Sequence, residues 1–424
     1  MKSRARVAAA LVVAIAQVAC TDSSPSSPSA SAVPIASPAP SQSAATGSPT
    51  ATAEASSSAV ASAWRAAAPM NHARVGFGAA VLGDGSVLVV GDDMACYPGG
   101  AEPGSELAEV YEPASDRWVD IESLNKPRKI PATVGLADGS AMVIGGVNSE
   151  DVSFSSTKIL SPATRTWTDG PLLNVARGVP LAAVLGDGRV LVASVVGADE
   201  TSARTTTEIY DPEGREWTPG PPLDGPYIDS LVALADGRVL AVGSAFEISL
   251  WLEIFDPTGE SWTAINPPSH GHVAPQFIAL ADGGILAVGG FVERAGEREL
   301  TNLAERYDAL NDKWVDVAPM PTARADAALV RRADGKVLVM GGFAGGPDET
   351  DLRALATVEA FDPSTGRWTT GPGLLEPREH GKALALDDGS VLLMGGDAEF
   401  NVQYDTPFCP SPISSVERLA AGAP

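Results

Sequence analysis

The chain has 424 residues and a formal net charge of −24, and so negative a surface is expected to repel nucleic-acid phosphates and anionic lipid headgroups. Only 19% of the residues are charged, whereas glycine (43 residues) and proline (34 residues) are abundant, a composition that favours many short strands joined by turns. We therefore expect an all-β protein and exclude a nucleic-acid-binding one.

The first element, residues 1–19, is predicted to be a signal peptide. Its start is basic, and the apolar run over residues 7–19 is too short to span a bilayer. Cys20 follows at once. This order resembles a bacterial lipoprotein signal, in which the cysteine becomes the lipidated first residue of the mature chain. We therefore expect an extracytoplasmic protein that contacts a bacterial membrane only through a lipid on Cys20.

One residue departs from the lipoprotein signal and keeps an alternative open. Gln17 lies three positions before Cys20, where leucine or a similar apolar residue is usual. The alternative is ordinary cleavage after Ala16, at a site made of small residues, which gives a secreted protein.

The second element, residues 20–62, consists almost entirely of serine, alanine, proline and threonine. Such a segment has too little apolar side chain to bury, so we expect a disordered tether. Residues 63–424 form the predicted folded domain.

This domain is a repeat marked by tryptophan. Seven tryptophans recur at intervals of 45 to 54 residues, and Trp251 lies outside this series as an expected packing residue. The seven are Trp64, Trp118, Trp167, Trp217, Trp262, Trp314 and Trp368. A fixed period of this length is typical of repeat architectures.

Each repeat also contains an Asp-Gly pair between two apolar runs, which predicts a hairpin with a two-residue turn. The pairs begin at Asp84, Asp138, Asp187, Asp236, Asp282, Asp334 and Asp388. A Gly-Gly pair follows the second run in four repeats, at 145–146, 289–290, 341–342 and 395–396, and is degenerate at 91–92, 193–194 and 243–244. A third strand ends in an aromatic residue and an Asp-Pro-like turn, and the tryptophan begins a fourth strand.

The order of Gly-Gly, Glu-x-Tyr/Phe-Asp-Pro, Trp and Pro-x-x-x-x-Arg resembles the kelch repeat, in the variety found in bacterial kelch proteins and galactose-oxidase-like propellers. The resemblance covers residues 64 to about 419. It implies a seven-bladed β-propeller with four antiparallel strands per blade. Trp64 precedes every hairpin, so its strand is expected to close the ring as the outer strand of blade seven.

Two cysteines remain besides Cys20. Cys96 and Cys409 lie in equivalent connections of the first and last repeats, which are neighbours in a closed ring. An exported protein meets an oxidising compartment, so we predict a Cys96–Cys409 disulfide, with two unpaired thiols as the alternative.

One basic position recurs ten residues before each hairpin aspartate. It carries Arg74, Arg128, Arg177, His272, Arg324 and Arg378, and Pro226 in the remaining repeat. Guanidinium groups suit carboxylates and phosphates, so these residues could form an anion-binding channel mouth for a carboxylated sugar or an acidic peptide. The alternative is that they belong to the repeat and pair with the backbone or with nearby acids.

Other candidates for chemistry are weak. The histidines His72, His270, His272 and His380 share one face but do not form a recognisable metal site, and we expect neither a metal nor another cofactor. Galactose-oxidase-like enzymes bind copper through two tyrosines and two histidines, and this chain has no Tyr-x-His pattern. Glu379 is a weak candidate for an acid/base residue.

Two hypotheses remain. The first is a monomeric, non-catalytic module that binds a protein or an anionic ligand through the loops on one face. The second is an enzyme acting on an anionic sugar, similar to the kelch propellers that interconvert the anomers of sialic acid. Fold alone does not choose between them.

Overall fold

The computed structural model describes residues 63–92, 106–148, 150, 152–196, 204–225, 227–245, 249–294, 297–309, 311–345, 352–398 and 412–423. The signal peptide, the tether and all three cysteines, Cys20, Cys96 and Cys409, lie outside these ranges, as does Pro226. Throughout the described ranges the chain forms strands and turns without a helix, as the composition predicted. Accordingly, they contain no helix long and apolar enough to cross a membrane.

Seven four-stranded antiparallel sheets, here called units one to seven, make up most of the structure. Unit one comprises β2 (Gly78–Val81), β3 (Val87–Val90), β4 (Ala108–Glu112) and β5 (Arg117–Asp120). Unit two comprises β6 (Ala132–Gly135), β7 (Ala141–Ile144), β8 (Thr157–Leu160) and β9 (Trp167–Asp169). Unit three comprises β10 (Leu181–Val184), β11 (Val190–Val196), β12 (Arg204–Asp211) and β13 (Glu216–Pro219). Unit four comprises β14 (Ser230–Ala233), β15 (Val239–Ala245), β16 (Ser249–Asp256) and β17 (Ser261–Ile265).

The later units follow the same order. Unit five comprises β19 (Gln276–Ala279), β20 (Ile285–Val288), β23 (Ala304–Asp308) and β24 (Lys313–Asp316). Unit six comprises β25 (Ala328–Arg331), β26 (Val337–Met340), β29 (Val358–Asp362) and β30 (Arg367–Thr370). Unit seven comprises β31 (Lys382–Ala385), β32 (Val391–Met394), β33 (Val416–Leu419) and, from the start of the domain, β1 (Trp64–Ala67).

The second strand of each unit forms the core. Strands β3, β7, β20, β26 and β32 are buried at every position, because both faces of each strand are covered by packed side chains. This explains their continuous apolar sequences, which lack the alternation of a strand with one wet face.

The hairpin turns are longer than the sequence predicted. In unit one, Leu82 N–H donates to the Ser86 carbonyl and Gly85 N–H donates to the Leu82 carbonyl, so three residues form the loop. Gly85 has φ 78°, whereas Asp84 is not in the left-handed region. A two-residue turn with positive φ at both central residues is therefore wrong. The structure has the three-residue hairpin in which glycine alone takes the left-handed conformation, and Asp84 accepts the Ser86 N–H.

The antiparallel order of each unit gives the sheets two different ends. The turns from first to second strand and from third to fourth strand lie at one end, which we call the short-turn face. The connections from second to third strand and from one unit to the next lie at the other end, which we call the long-connection face. Residues 91–107 of unit one and 395–415 of unit seven illustrate the length of these connections.

Two small sheets on the long-connection face were not predicted. Strands β18 (His272–Val273), β21 (Phe291–Arg294) and β22 (Glu297–Leu300) form one of them, and β27 (Phe343–Ala344) and β28 (Arg353–Ala354) form the other. Strands β21, β22, β27 and β28 lie in connections between second and third strands, in units five and six, whereas β18 lies in the connection from unit four to unit five. Phe291 and Phe343 bring them together, with ring centroids 6.2 Å apart.

Five of the recurring tryptophans pack on an aromatic residue of the neighbouring third strand, whereas Trp64 and Trp167 are paired with Leu419 and Leu160. Tyr111 and Trp118 are cross-strand partners with ring centroids 5.1 Å apart. The indole N–H of Trp118 also donates to the carbonyl of Ala68, at 2.8 Å, just beyond the fourth strand of unit seven. Trp167, Trp262, Trp314 and Trp368 make the same bond to the preceding unit. The tryptophan thus joins consecutive units as well as marking them.

Unit seven combines the two ends of the domain. Trp64 of β1 pairs with Leu419 of β33, so the outermost strand of this sheet comes from the N-terminal side. The first strands of consecutive units contact one another, and β31 also contacts β2 of unit one.

The closing strand provides a test of its packing. Trp64 is 2% exposed in the core of unit seven, so Trp64→Ala should lower the free energy of unfolding by about 3–5 kcal/mol. The neighbouring Arg65 is exposed, and Arg65→Ala should leave stability almost unchanged. Chemical denaturation followed by tryptophan fluorescence measures both. Equal stability of the two variants would contradict the placement of β1.

Candidate functional site

The recurring basic position lies inside the protein. The five arginines are at most 1% exposed and the histidine is 4% exposed. The six are Arg74, Arg128, Arg177, His272, Arg324 and Arg378. We call them the buried basic set.

Arg324 shows what a member of this set does. Its Nη1 donates to the carbonyls of Gly341 (2.9 Å) and Thr357 (3.1 Å), and its Nη2 donates to Thr357 Oγ1 (2.9 Å) and Glu359 Oε1 (2.8 Å). One guanidinium thereby fixes the end of the second strand, the start of the third strand and a glutamate within it. Arg378 repeats these bonds with Gly395, Ser415 and Glu417 in unit seven.

The other members vary this scheme. Arg74 binds the Gly91 and Leu107 carbonyls and Glu109. Arg177 binds Glu208, the Thr206 carbonyl and Ser194 Oγ. Ser194 therefore takes the place of the first glycine of the pair. The degenerate pair of this unit thus begins one residue later than the 193–194 expected from the sequence. His272 Nδ1–H donates to the Gly289 carbonyl at 2.9 Å, and its Nε2 lies 3.1 Å from Glu305 Oε2.

The Gly-Gly pair is explained by the same position in the next unit. Gly342 N–H donates to the Arg378 carbonyl at 2.9 Å, and a Cβ atom on Gly341 would lie 2.3 Å from that oxygen. A side chain would also oppose the left-handed φ of 63° at Gly341. The bond recurs between Gly396 of unit seven and the Arg74 carbonyl of unit one, at 3.3 Å.

Burial disfavours the charge on these guanidinium groups. Desolvation lowers the pKa values of Arg177, Arg324 and Arg378, while the paired glutamates oppose the shift. Each pair keeps its charges because the carboxylate and several carbonyls replace water.

Unit two lacks the glutamate. Lys158 occupies its position and binds Asp169, with Nζ and Oδ1 2.7 Å apart. The guanidinium carbon of Arg128 instead lies 4.7 Å from the centre of the Phe154 ring. Desolvation lowers the pKa of Arg128 to about 10. A cation–π contact replaces the ion pair here.

Unit four lacks the cation, since its position is Pro226. Glu253 is nevertheless buried, at 5% exposure, and accepts the Asp224 N–H at 3.1 Å. Desolvation raises the pKa of Glu253. The indole of Trp251 fills the neighbouring space, because a Cβ atom on Gly225 or Gly243 would lie within 2.2 Å of its ring. Trp251 is thus the packing residue that the sequence suggested.

The contacts of the buried basic set match the second interpretation of the sequence, in which these residues pair with the backbone and with acids. Every member engages such groups, and none presents more than 4% of its surface to solvent. Binding of a ligand by these six side chains stays a prediction.

Glu379 lies in a different environment, a cluster of titratable groups beside unit seven. It is 1% exposed, and neither of its carboxylate oxygens accepts a hydrogen bond from a described residue. Its Oε1 lies 4.0 Å from His380 Nδ1, which lies 3.9 Å from Asp397 Oδ2. On the other side of the imidazole, Nε2 lies 3.6 Å from Asp326 Oδ2. Desolvation, reinforced by the charges of Asp326 and Asp397, raises the pKa of Glu379 to about 8.

The backbone positions of this cluster explain how it is assembled. Asp326 and His380 occupy the same position in units six and seven, two residues after the arginine, and both have left-handed φ values of 50° and 52°. Lys382 follows at the start of β31, where the surrounding protein desolvates its ammonium and lowers its pKa to about 8. Its Nζ donates to the Phe77 carbonyl of unit one at 2.8 Å.

The remaining histidines make structural contacts. His270 Nε2 lies 2.7 Å from Asp316, and His72 Nε2 lies 3.6 Å from the equivalent Asp120. Two groups in the described part of the chain bring three possible metal ligands within 4.8 Å of one another: His270 with Glu305 and Asp316, and Glu379 with His380 and Asp397. The expectation of no metal site stays a prediction. The sequence did not single out the second group, because only the fold brings Asp397 beside Glu379 and His380.

The described tyrosines of the repeat do not fit a copper site. Tyr111, Tyr210 and Tyr307 are buried against tryptophans. Two of their hydroxyls already donate to aspartates, Tyr111 to Asp116 and Tyr307 to Asp312. Three tyrosines packed in this way cannot reach a metal in the connections.

Comparison with known proteins identifies the repeat. The family model described as "Kelch motif" matches residues 278–321 and 329–375. This protein contains kelch repeats. Kelch-like protein terF of Aspergillus terreus is 37% identical over 112 residues, which are 26% of this chain and 24% of that protein. Kelch-like protein 35 of Mus musculus is 29% identical over 220 residues, which are 51% of this chain and 35% of that protein. The chain therefore spans about a quarter to a third of these relatives.

A solved structure shares the fold. It is titled a novel fungal alcohol oxidase with catalytic diversity among the AA5 family, in complex with copper. The TM-score is 0.61 at 20% sequence identity, over 84% of this chain and 76% of the other. The kelch repeats thus form a β-propeller fold. At so low a sequence identity, the similarity shows the fold alone.

The ion pair of unit six provides a test of the buried basic set. Arg324→Met leaves Glu359 buried without its cation and should lower the free energy of unfolding by about 3–5 kcal/mol. The double variant Arg324→Met/Glu359→Leu should be more stable than the single one, because it removes the uncompensated charge. Arg353→Met, at an exposed position, serves as the control. Urea denaturation checks the series, and a single variant as stable as the wild type would show that the pair does not hold the unit.

Glu253 predicts a pH dependence that differs between units. Its folded-state pKa is raised, so the stability present below the unfolded pKa of about 4.5 is lost as pH rises through the folded value. Glu253→Gln should therefore raise the melting temperature at pH 8 and change it little at pH 4. Glu359→Gln should lower the melting temperature at pH 8, because the neutral amide no longer forms an ion pair with its arginine partner. Thermal melts at both pH values test this prediction. A change of the melting temperature in the same direction for both variants at pH 8 would contradict the raised pKa of Glu253.

Proposed function

We propose that this protein is an extracytoplasmic, lipid-anchored interaction module that binds a partner through its long-connection face. Among the described residues, five large apolar side chains are exposed, and four of them lie in connections of this face. The four are Val152, Leu172, Val175 and Leu375. This observation carries the proposal, because exposed apolar side chains on loops held by a rigid scaffold are typical of binding surfaces.

Further support comes from the different lengths of the turns. The short-turn face consists of tight turns whose backbone groups are bonded within the turn or to the turn of a neighbouring unit, whereas the long-connection face carries the extended connections and both small sheets. Kelch-repeat proteins generally bind protein partners, and a face of long connections offers the variable surface that such binding needs. A protein partner is therefore the first choice, and an anionic ligand is the alternative.

The proposal includes a closed ring of seven blades, one for each unit. Three contacts across units seven and one support closure: β31 against β2, Gly396 bonded to Arg74, and Trp118 bonded to Ala68. A closed ring has no exposed sheet edge at its seam. It would also place the connections of Cys96 and Cys409 in neighbouring blades, as the predicted disulfide requires.

Site-specific photo-crosslinking in cells tests the binding face. A photoreactive amino acid at position 152 or 172 should crosslink a defined partner, whereas the same amino acid at position 315 should not. Val315 is the fifth exposed apolar residue and lies on the outer strand β24 of unit five. It is a control because it is exposed like the other four residues but lies outside the long-connection face. Crosslinks of equal yield from all three positions, or from position 315 alone, would contradict the proposed face.

The lipid anchor has its own test. Cys20→Ser removes the only sulfur to which the lipid could be attached and should move the protein from the membrane fraction to the soluble extracytoplasmic fraction. Gln17→Leu restores the usual residue of the lipoprotein signal and should leave the protein in the membrane fraction. Fractionation with immunoblotting measures both, and a Cys20→Ser protein that stays in the membrane fraction would exclude the anchor.

The enzyme hypothesis has less support from the geometry. It needs arginines that reach the carboxylate of an anionic sugar, and the buried basic set is engaged with carbonyls and glutamates. Glu379 alone retains the features of an acid/base residue, with its raised pKa of about 8.

A further inference from the structure

The backbone holds Glu379 and Asp397 side by side. Each donates its N–H to the carbonyl of the other, at 2.9 Å in both directions, so the two residues form an antiparallel bridge. Residues paired in this way project their side chains to the same side. Both are buried, at 1% and 0% exposure, and two charged carboxylates placed opposite each other there would be destabilising.

Nothing else in the described structure compensates the carboxylate of Glu379. Its two oxygens are buried and accept no hydrogen bond from a described residue. Other buried glutamates of the protein bind an arginine, a histidine or a backbone N–H group. The imidazole of His380 lies 4.0 Å from Glu379. Arg378 is adjacent in sequence, but it donates to Glu417 and to carbonyls.

The imidazole of His380 is held between two sets of carboxylates. Its Nδ1 faces Glu379 and Asp397, and its Nε2 faces Asp326 of unit six at 3.6 Å. An imidazole that turns one nitrogen to a carboxylate and the other to a cluster of oxygens is the usual arrangement of a metal-binding histidine. The left-handed backbone of His380, with φ 52°, is a feature of the repeat that recurs at Ile130, Ala274 and Asp326.

We propose that Glu379, His380 and Asp397 bind one divalent first-row transition-metal ion, with Asp326 orienting the histidine. Two carboxylates and one imidazole suit Zn²⁺ and Mn²⁺ better than Ca²⁺ or Mg²⁺, which prefer oxygen ligands alone. The three donor atoms lie within 4.8 Å of one another, and ligands of one Zn²⁺ ion are about 3.0–3.4 Å apart. Displacements of the donor atoms by about 1 Å would bring them to these distances.

The position of the site indicates a role that does not depend on which partner the protein binds. Three protein ligands leave coordination positions for water or for an oxygen atom of a ligand. The site lies in the connections before β31 and after β32, on the long-connection face. The ion would neutralise the buried carboxylates and join units six and seven at this face.

Calorimetric titration of the full, untagged chain with Zn²⁺, and separately with Mn²⁺, tests the proposal. The wild type should bind one ion at this site. Asp326→Asn should weaken binding by about 10–100-fold, the effect of losing a group that orients a ligand, and His380→Ala should weaken it at least as much. His270→Ala is the matched control and should bind normally, because Glu305 of that second cluster is already bonded to Ser269 and to the backbone of His270.

Absorption spectra of the Co²⁺-substituted protein give a readout independent of affinity. The wild type should show visible bands that change in His380→Ala and persist in His270→Ala, and circular dichroism in chelator verifies that each variant is folded. Saturable binding that is lost with His380 and kept without His270 supports the site. Absence of saturable binding by either ion, or equal binding by wild type and His380→Ala, overturns it.

Discussion

The buried guanidinium is the interaction on which five of the seven units depend. It lies where the second strand ends and the third begins, beyond the last ladder bonds between those strands, and several carbonyls converge there. In units six and seven, one arginine satisfies two of these carbonyls and pairs with a glutamate of the third strand. Because the long connections start at this point, they can change in length and sequence while the strands beneath them stay in register.

The same position connects one unit to the next. Its backbone carbonyl accepts from the second glycine of the preceding unit, which explains why a Gly-Gly pair recurs far from any sharp turn of its own. The tryptophan N–H bonds to the preceding unit just beyond its fourth strand. Two recurring contacts, one before the first strand and one beyond the fourth strand, therefore join neighbouring units, and the hydrophobic core fills the space between them.

Much of the fold could be predicted from the sequence because equivalent residues recur at similar intervals in every repeat. The Trp64 strand, the aromatic–tryptophan pairs and the four strands per unit all follow from spacing, and the structure has each of them. The hairpin turn was predicted one residue too short, since the Asp-Gly pair alone does not reveal that only its glycine needs positive φ. The small sheets in units five and six were missed because their sequences have no counterpart in the other repeats.

The site was less predictable, for a physical reason. A recurring arginine suggests a charged rim, but sequence alone does not tell whether a side chain points to solvent or to the carbonyls of its own unit. The structure places the recurring residues inside, and it finds unusual chemistry where the repeat is broken. Glu379, His380 and Asp326 stand at positions that hold other residue types in most units, and Asp397 reaches them through a bridge that spacing does not reveal.

The direction of β1 has a consequence for how the molecule would sit on a cell. The strand is the fourth of its sheet and pairs antiparallel with β33, so Trp64 begins at the end where the tight turns lie. If Cys20 carries the proposed lipid, the tight turns would be the end of the domain attached to the bilayer. The opposite end would then be free to point outward, and the length of the predicted tether would set how far from the headgroups an approaching molecule is first met.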